Sequence, residues 1–189
     1  MSGLEDNGRY EVRLSGSGGQ GIITAGIILA EAACVHEGYH AVQTQSYGPE
    51  SRGGASKAEV VISKAEIDYP KVTTPDLLVV MTQEACDAYI GDRAEGGWAI
   101  LDATNIPEVP AGENLVLLPL TELARQETGR AIVANIVALG ALVELTGIVR
   151  PESMRAAVIA RVPKGTEELN QKALAAGFAA VRQWREANG

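Results

Sequence analysis

Apolar positions along the chain fall into two rhythms. Short runs with strand character occupy Tyr10–Leu14, Tyr39–Gln45, Ala58–Ser63, Asp76–Met81, Trp98–Asp102 and Leu115–Leu118. The first of them alternates apolar and polar residues, whereas most of the later ones are continuous Val/Ile/Leu runs, the mark of strands covered on both faces. Longer segments with helical spacing separate and follow them. Ile22–Val35 is mostly apolar and free of proline, and it ends near Gly38. Thr82 caps a helix that runs to Ile90, with Glu84 in its first turn. Thr121–Thr128 is backed by Gly129, Ile132–Thr146 by Gly147, and Pro151 opens a further helix at the position proline favours. Thr166 starts the last helix, whose stripe of Leu169, Ala173, Phe178, Val181 and Trp184 marks a core or interface face.

Strands that alternate with helices predict an α/β fold: a Rossmann-like, three-layer arrangement with a mostly parallel sheet, helices on both faces and a helical C-terminal segment. The short step from the second strand to Ala58–Ser63 predicts one antiparallel pair. A length of 189 residues suits a single domain over 1–189, with the polar stretch 1–9 as a flexible terminus. The longest apolar run, Ile132–Leu145, contains Asn135 and Glu144 and is too short to span a bilayer. It is either buried on all sides or turned towards another subunit, and Asn135 is correspondingly an interior amide or an interface contact. With no secretory signal in view, a soluble cytoplasmic chain is expected.

The formal charge of −8 argues against nucleic acid or an anionic membrane as partner. Any phosphate must be held locally, and Arg13, Arg52 and Lys57 are the cations close by in sequence. Cys34 and Cys86 lie far apart without a C-x-x-C pair, so the chain carries no iron–sulfur or zinc motif. Both thiols are expected to be buried and reduced.

The chemistry concentrates in Ser15-Gly16-Ser17-Gly18-Gly19-Gln20-Gly21, between the first strand and the first helix. Glycines there let the backbone approach a ligand, and free N–H groups at a helix start suit an anion. Gly16, Gly18 and Gly21 match G-x-G-x-x-G, but the acid that a dinucleotide's ribose requires is missing from Thr44-Gln45-Ser46. The triphosphate loop fails as well, because Ile22-Ile23 stand where Lys and Ser/Thr belong. A turn serving only helix–strand packing is the bland alternative, and a phosphate-bearing ligand of another kind is the better reading. A second turn-rich segment, Tyr47-Gly48-Pro49-Glu50-Ser51-Arg52-Gly53-Gly54, offers a guanidinium and hydroxyls that a phosphate would accept. Its alternative is a structural turn with Arg52 paired to Glu50 or solvated. Isolated candidates carry less. His36 suits a helix end, Asp92 and Asp102 form no carboxylate pair, and Ser17 lacks the G-x-S-x-G context of a hydrolase.

Together these two segments resemble the γ subunit of the 2-oxoacid:ferredoxin oxidoreductases. The likeness continues through Ala58–Ser63, Asn135–Gly140 and the closing helix with Asn170, Ala173 and Gly177. It implies one subunit of a complex that converts a 2-oxoacid and coenzyme A to an acyl-coenzyme A and CO2 while reducing ferredoxin, with no turnover by this chain alone. Thiamine diphosphate, Mg and [4Fe-4S] clusters then belong to partner subunits. Those partners are α and β, with a ferredoxin-like δ as a further candidate, and a homodimer is the form open to the isolated chain. The resemblance assigns the coenzyme A site to Gly16, Ser17, Gly18, Gly19, Gln20 and Gly21, completed by Tyr47, Glu50, Ser51 and Arg52. The second segment looks more like the 2-oxoglutarate branch than the indolepyruvate one. The alternative is a stand-alone nucleotide- or dinucleotide-binding Rossmann-like module without catalysis.

Overall fold

The structure, a computed structural model, describes residues 4, 8–46 and 55–188. Its centre is a six-stranded sheet of β1 (Arg9–Gly16), β2 (His40–Ser46), β3 (Ser56–Ser63), β4 (Leu77–Val80), β5 (Trp98–Asp102) and β6 (Leu115–Leu118), in the order β2-β3-β1-β4-β5-β6. β1, β4, β5 and β6 run parallel, while β3 lies antiparallel between β1 and β2. The predicted antiparallel pair is therefore present, and it has a consequence for topology. β2 is not the neighbour of β1; β3 is inserted between them.

Helices cover both faces unequally. One face carries α1 (Ile22–Glu31), α3 (Leu120–Thr128), α4 (Ala134–Thr146), α5 (Pro151–Arg161) and α6 (Glu167–Asn188), and it holds the larger core. The other carries α2 (Gln83–Tyr89) over Leu78, Val80, Ala99 and Leu101. Local chemistry sets the helix ends as the sequence suggests. Thr82 Oγ1 accepts from Ala85 N at 3.3 Å, and Gly129 and Gly147 close α3 and α4 with φ of 73° and 64°. Past Glu31 the first helix widens into a π-helical turn over Ala32–His36.

Of the two readings of the apolar run, the part in α4 takes the first: every residue of α4 except Glu144 is buried, while Ile132, ahead of it, is exposed. It crosses α6 where Gly140 faces Gly177, so closely that a Cβ on Gly177 would overlap the carbonyl oxygen of Val137. Within the closing stripe Ala173, Phe178 and Val181 are buried, and Leu169 and Trp184 pack half-buried against the same core.

Within the 1–9 stretch, the Leu4 side chain is in the core and its carbonyl accepts from Lys64 Nζ at 3.0 Å. It is an apolar residue in a polar stretch, and burial outweighs the ordering cost; residues 1–3 and 5–7 lie outside the described ones. Cys34, against expectation, is exposed, because the π-helical turn faces it outward, whereas Cys86 is buried as expected. No helix is long and apolar enough to cross a membrane among the described residues.

Candidate functional site

β1 ends at Gly16, and the chain turns through Ser17–Gly21 into α1. Three contacts shape this turn. Gln20 N donates to Ser17 O at 3.3 Å, Ser17 N donates to Gln20 Oε1 at 2.8 Å, and Gln20 Nε2 reaches Met81 O, just past β4, at 3.3 Å. The Gln20 carboxamide thus ties the exit of β1 to the exit of β4. A Cβ on Gly16 would overlap Gln20 Oε1, so a side chain there would displace the carboxamide from this position. Gly21 caps α1 with φ 72°, and its Cβ would come within 2.5 Å of Asn135 Nδ2, which donates to Gly21 O at 3.1 Å. Asn135 is therefore an interior amide, anchoring the turn to the first residues of α4.

Between these anchors, Gly18 and Gly19 project into open space. Both are exposed, and a Cβ on either would meet nothing within 4 Å. Their N–H groups have no partner among the described residues, and they stand at the positive end of α1 without a side-chain cap. Beside them opens a pocket of about 280 Å³, lined by Gly19, Gln20, Asn105, Thr121, Ile132 and Ala134. Its far wall rests on Asp102, fully buried at the end of β5. Asp102 accepts from Thr121 Oγ1 at 2.5 Å, Asn105 Nδ2 at 2.8 Å, Thr104 N at 3.1 Å and Thr121 N at 3.3 Å. Asn105 and Thr121 escaped the sequence reading. The signal available was Asp102-Ala103-Thr104-Asn105 closing a strand, a turn in which the aspartate binds an amide two residues on.

The other sequence-predicted cations are spent elsewhere. Arg13 is 3% exposed and points to the α2 face, where it bonds Glu59 at 2.8 Å and Asp92 at 2.5 Å. Lys57 bonds Glu59 at 3.0 Å, and both cations lie over the Tyr89 ring. Alternation along β1 and β3 turns these side chains away from α1, so neither supports the glycine turn. Tyr47, Glu50, Ser51 and Arg52 lie outside the described residues. The residues bordering that segment are placed: Ser46 pairs with Lys57, Ser56 pairs with Gly16, and Ser56 Oγ donates to Gly16 O at 3.3 Å. Both described ends thus sit at the end of the sheet from which the glycine turn emerges.

The arrangement also explains why the dinucleotide pattern is incomplete. A ribose-binding acid would stand at the end of a parallel strand beside β1 on that side. Antiparallel β3 occupies that place and presents Ser56.

The family model for pyruvate ferredoxin/flavodoxin oxidoreductase matches residues 11–180, most of the chain. The 2-oxoglutarate synthase subunit KorC of Methanocaldococcus jannaschii is 51% identical over 180 residues, covering 93% of this chain and 95% of that protein. The subunit of the same name from Methanothermobacter thermautotrophicus is 48% identical, covering 89% and 93%. Among solved structures, the keto/oxoacid ferredoxin oxidoreductase γ subunit from Geobacter sulfurreducens is 49% identical. It superposes with a TM-score of 0.86 over 93% of this chain and 98% of its own. A stand-alone nucleotide-binding module gives way to this membership. The chain belongs to the pyruvate ferredoxin/flavodoxin oxidoreductase family, as a γ subunit of a 2-oxoacid:ferredoxin oxidoreductase.

Proposed function

We propose that this γ subunit contributes the coenzyme A site of a complex that oxidises 2-oxoglutarate. The observation that carries the reading is the uncovered amide edge at Gly18 and Gly19, held by Gln20 and Asn135 and bare of any Cβ. Such an edge at a helix N-terminus suits a phosphate, in a chain whose charge of −8 would otherwise repel one. Coenzyme A supplies the thiol that takes up the acyl group. The residues of this chain bind and orient it, and its phosphates fall on the amides of Gly18 and Gly19. Arg52, Ser51, Tyr47 and Glu50 complete the cradle from the segment that precedes Ser56, the residue paired with Gly16. Holding a thiol next to its reaction partner can lower a barrier by roughly 7–11 kcal/mol at best, so this subunit's contribution is positioning.

The partners in this reading are α and β subunits, with a ferredoxin-like δ subunit as a further member. They hold thiamine diphosphate, Mg and [4Fe-4S] clusters. Among the described residues of this chain, no group of three or more His, Cys, Asp or Glu side chains is placed to hold a metal ion. The choice of 2-oxoglutarate is supported by the names of the relatives that are about half identical. Hydrogen exchange on the assembled enzyme tests the site. Coenzyme A is expected to protect the amides of residues 17–23, and unchanged exchange there at saturating coenzyme A refutes the assignment.

A further inference from the structure

The pocket beside the glycine turn presents one polar side-chain atom whose identity is fixed by its surroundings. Asn105 Nδ2 donates to Asp102 Oδ2 at 2.8 Å and to Thr121 Oγ1 at 3.0 Å. Thr121 Oγ1 in turn gives its single proton to Asp102 Oδ2 at 2.5 Å. Rotating the Asn105 amide by half a turn would set its oxygen against a carboxylate oxygen, and the Thr121 hydroxyl could answer it only by giving up its bond to Asp102. A bond would become a repulsion and another would be lost, so the network selects the orientation. The Asn105 oxygen is what remains, an acceptor without a protein partner among the described residues, on a side chain that lines the pocket.

The other polar side chains of that wall are committed. Gln20 uses its oxygen on Ser17 N and its nitrogen on Met81 O, and Thr121 both donates and accepts within the network. The edge of the pocket is apolar, and Ile132 stands there 63% exposed at the start of the turn that leads into α4. From one wall to the other, the pocket offers a backbone donor at Gly19, a fixed acceptor at Asn105 and an apolar rim at Ile132. At about 280 Å³ it takes one part of an elongated ligand, since sites for whole drug-sized molecules span about 300–1,000 Å³.

We infer that Asn105 is a specificity-determining residue that accepts a hydrogen bond from a neutral N–H group of the ligand whose anionic part lies on the glycine turn. This rests on the coenzyme A reading above. Coenzyme A carries such donors in two places, the adenine amino group and the amides of the pantetheine arm. Either matches the chemistry of the pocket: an apolar body against Ile132 with an N–H directed at a fixed oxygen.

The test uses the assembled oxidoreductase carrying Asn105→Ala, and separately Ile132→Glu, a change the fold accepts because that side chain is mostly in solvent. The probes are coenzyme A, adenosine 3′,5′-bisphosphate and 4′-phosphopantetheine, with equilibrium binding measured for each. Losing one hydrogen bond to a desolvated donor is expected to weaken coenzyme A roughly 5- to 50-fold. The KM for coenzyme A rises while kcat at saturation holds. One fragment is expected to lose affinity in both variants and the other in neither, which identifies the donor as amino group or amide. Coenzyme A and both fragments binding Asn105→Ala within twofold of wild type overturns the inference. In that case weakened binding to Gly18→Val, a change on the glycine turn alone, shows the coenzyme A reading standing without it. Wild-type binding to Gly18→Val as well overturns both.

Discussion

Gly18→Val separates the ligand's need for a bare backbone from the needs of the fold. A Cβ at Gly18 meets no atom within 4 Å, and Gly18 is not among the glycines held at positive φ, so an added side chain starts in open space. Stability is expected to change by no more than about 0.5 kcal/mol, a shift of about 2 °C or less in Tm for a chain of this size. The same branched side chain covers the amide edge on which a phosphate would sit. Displacing the phosphate forfeits at least one hydrogen bond to a charged group, about 1.5–3 kcal/mol, or roughly 10- to 100-fold in the Kd for coenzyme A. The assay is a coenzyme A titration of the assembled enzyme with wild-type or variant γ chain, paired with thermal unfolding of the purified chain. Gly16→Ala is the contrasting control. There the added methyl overlaps Gln20 Oε1, so the bonds to Ser17 N and Met81 O are lost and affinity and stability fall together. Unchanged affinity in Gly18→Val, with the Tm also unchanged, would refute the claim that this edge contacts the ligand.

Three further outcomes follow from the fold. Gly177→Ala forces α4 and α6 apart, since the methyl overlaps Val137 O and stands 2.7 Å from Ala141 N. Overpacking of that kind costs about 1–3 kcal/mol or more, so Tm should drop by several degrees, and an unchanged Tm would mean the helices do not meet backbone to backbone. Asp76 is held above the ordinary carboxylate range chiefly by burial, against the Glu11 amide that donates to it at 2.7 Å and with the Glu11 charge adding to the rise. The folded chain therefore binds this proton more tightly than the unfolded one, and stability falls as pH climbs from about 3.9 through the raised value. Asp76→Asn keeps an acceptor for Glu11 N and removes the charge, so it should gain on wild type in denaturant titrations at about pH 7 and lose that gain near pH 3; an equal difference at both pH values would contradict the assignment. A thiol reagent should modify Cys34 in the native chain and reach Cys86 only on unfolding, since Cys86 is buried and its thiol is pushed up by burial and by Asp87. Equal rates at the two cysteines, read by mass spectrometry, would rule this out.

Much of the architecture was legible because it rests on local rules. Capping at Thr82, closure at Gly129 and Gly147, and Pro151 at a helix start follow from the backbone needs of a few adjacent residues, and each is found where the sequence placed it. The glycine turn was legible for the same reason, since strand, turn and helix are contiguous. Whatever depended on side chains meeting across the sheet was not. Arg13 and Lys57 are close to the turn in sequence, yet strand alternation sends them to the opposite face, where Glu59 and Asp92 take them up. Sequence distance along a strand says little about which face a charge reaches until the register is known.

The insertion of β3 has the larger consequence for function. A chain of simple parallel units would place β2 beside β1 and leave room there for the acid that reads a ribose. Here β3 returns antiparallel along β1 from Ser56 beside Gly16 to Ser63 beside Arg9. The excluded acid and the new neighbour have one cause. The same pairing that removes the dinucleotide's anchoring residue sets Ser56, which follows the 47–54 segment, beside Gly16, with Ser46, which precedes it, one strand further out at the same end of the sheet. On the other flank, β4 and β5 run parallel to β1, and their ends supply Met81 O, which holds Gln20, and Asp102, which holds Asn105 and Thr121. The turn is thus supported from the β4–β5 side and bordered from the β3 side, so a ligand lying on Gly18 and Gly19 faces a rigid wall on one flank. If rigidity of that wall governs binding, loosening it at Asp102 should weaken coenzyme A even though Asp102 is fully buried and touches no ligand. Asp102→Asn, which keeps the shape but turns one of the two acceptor oxygens into a donor that faces either Asn105 Nδ2 or the Thr104 and Thr121 amides, is expected to raise the KM for coenzyme A with little change in kcat.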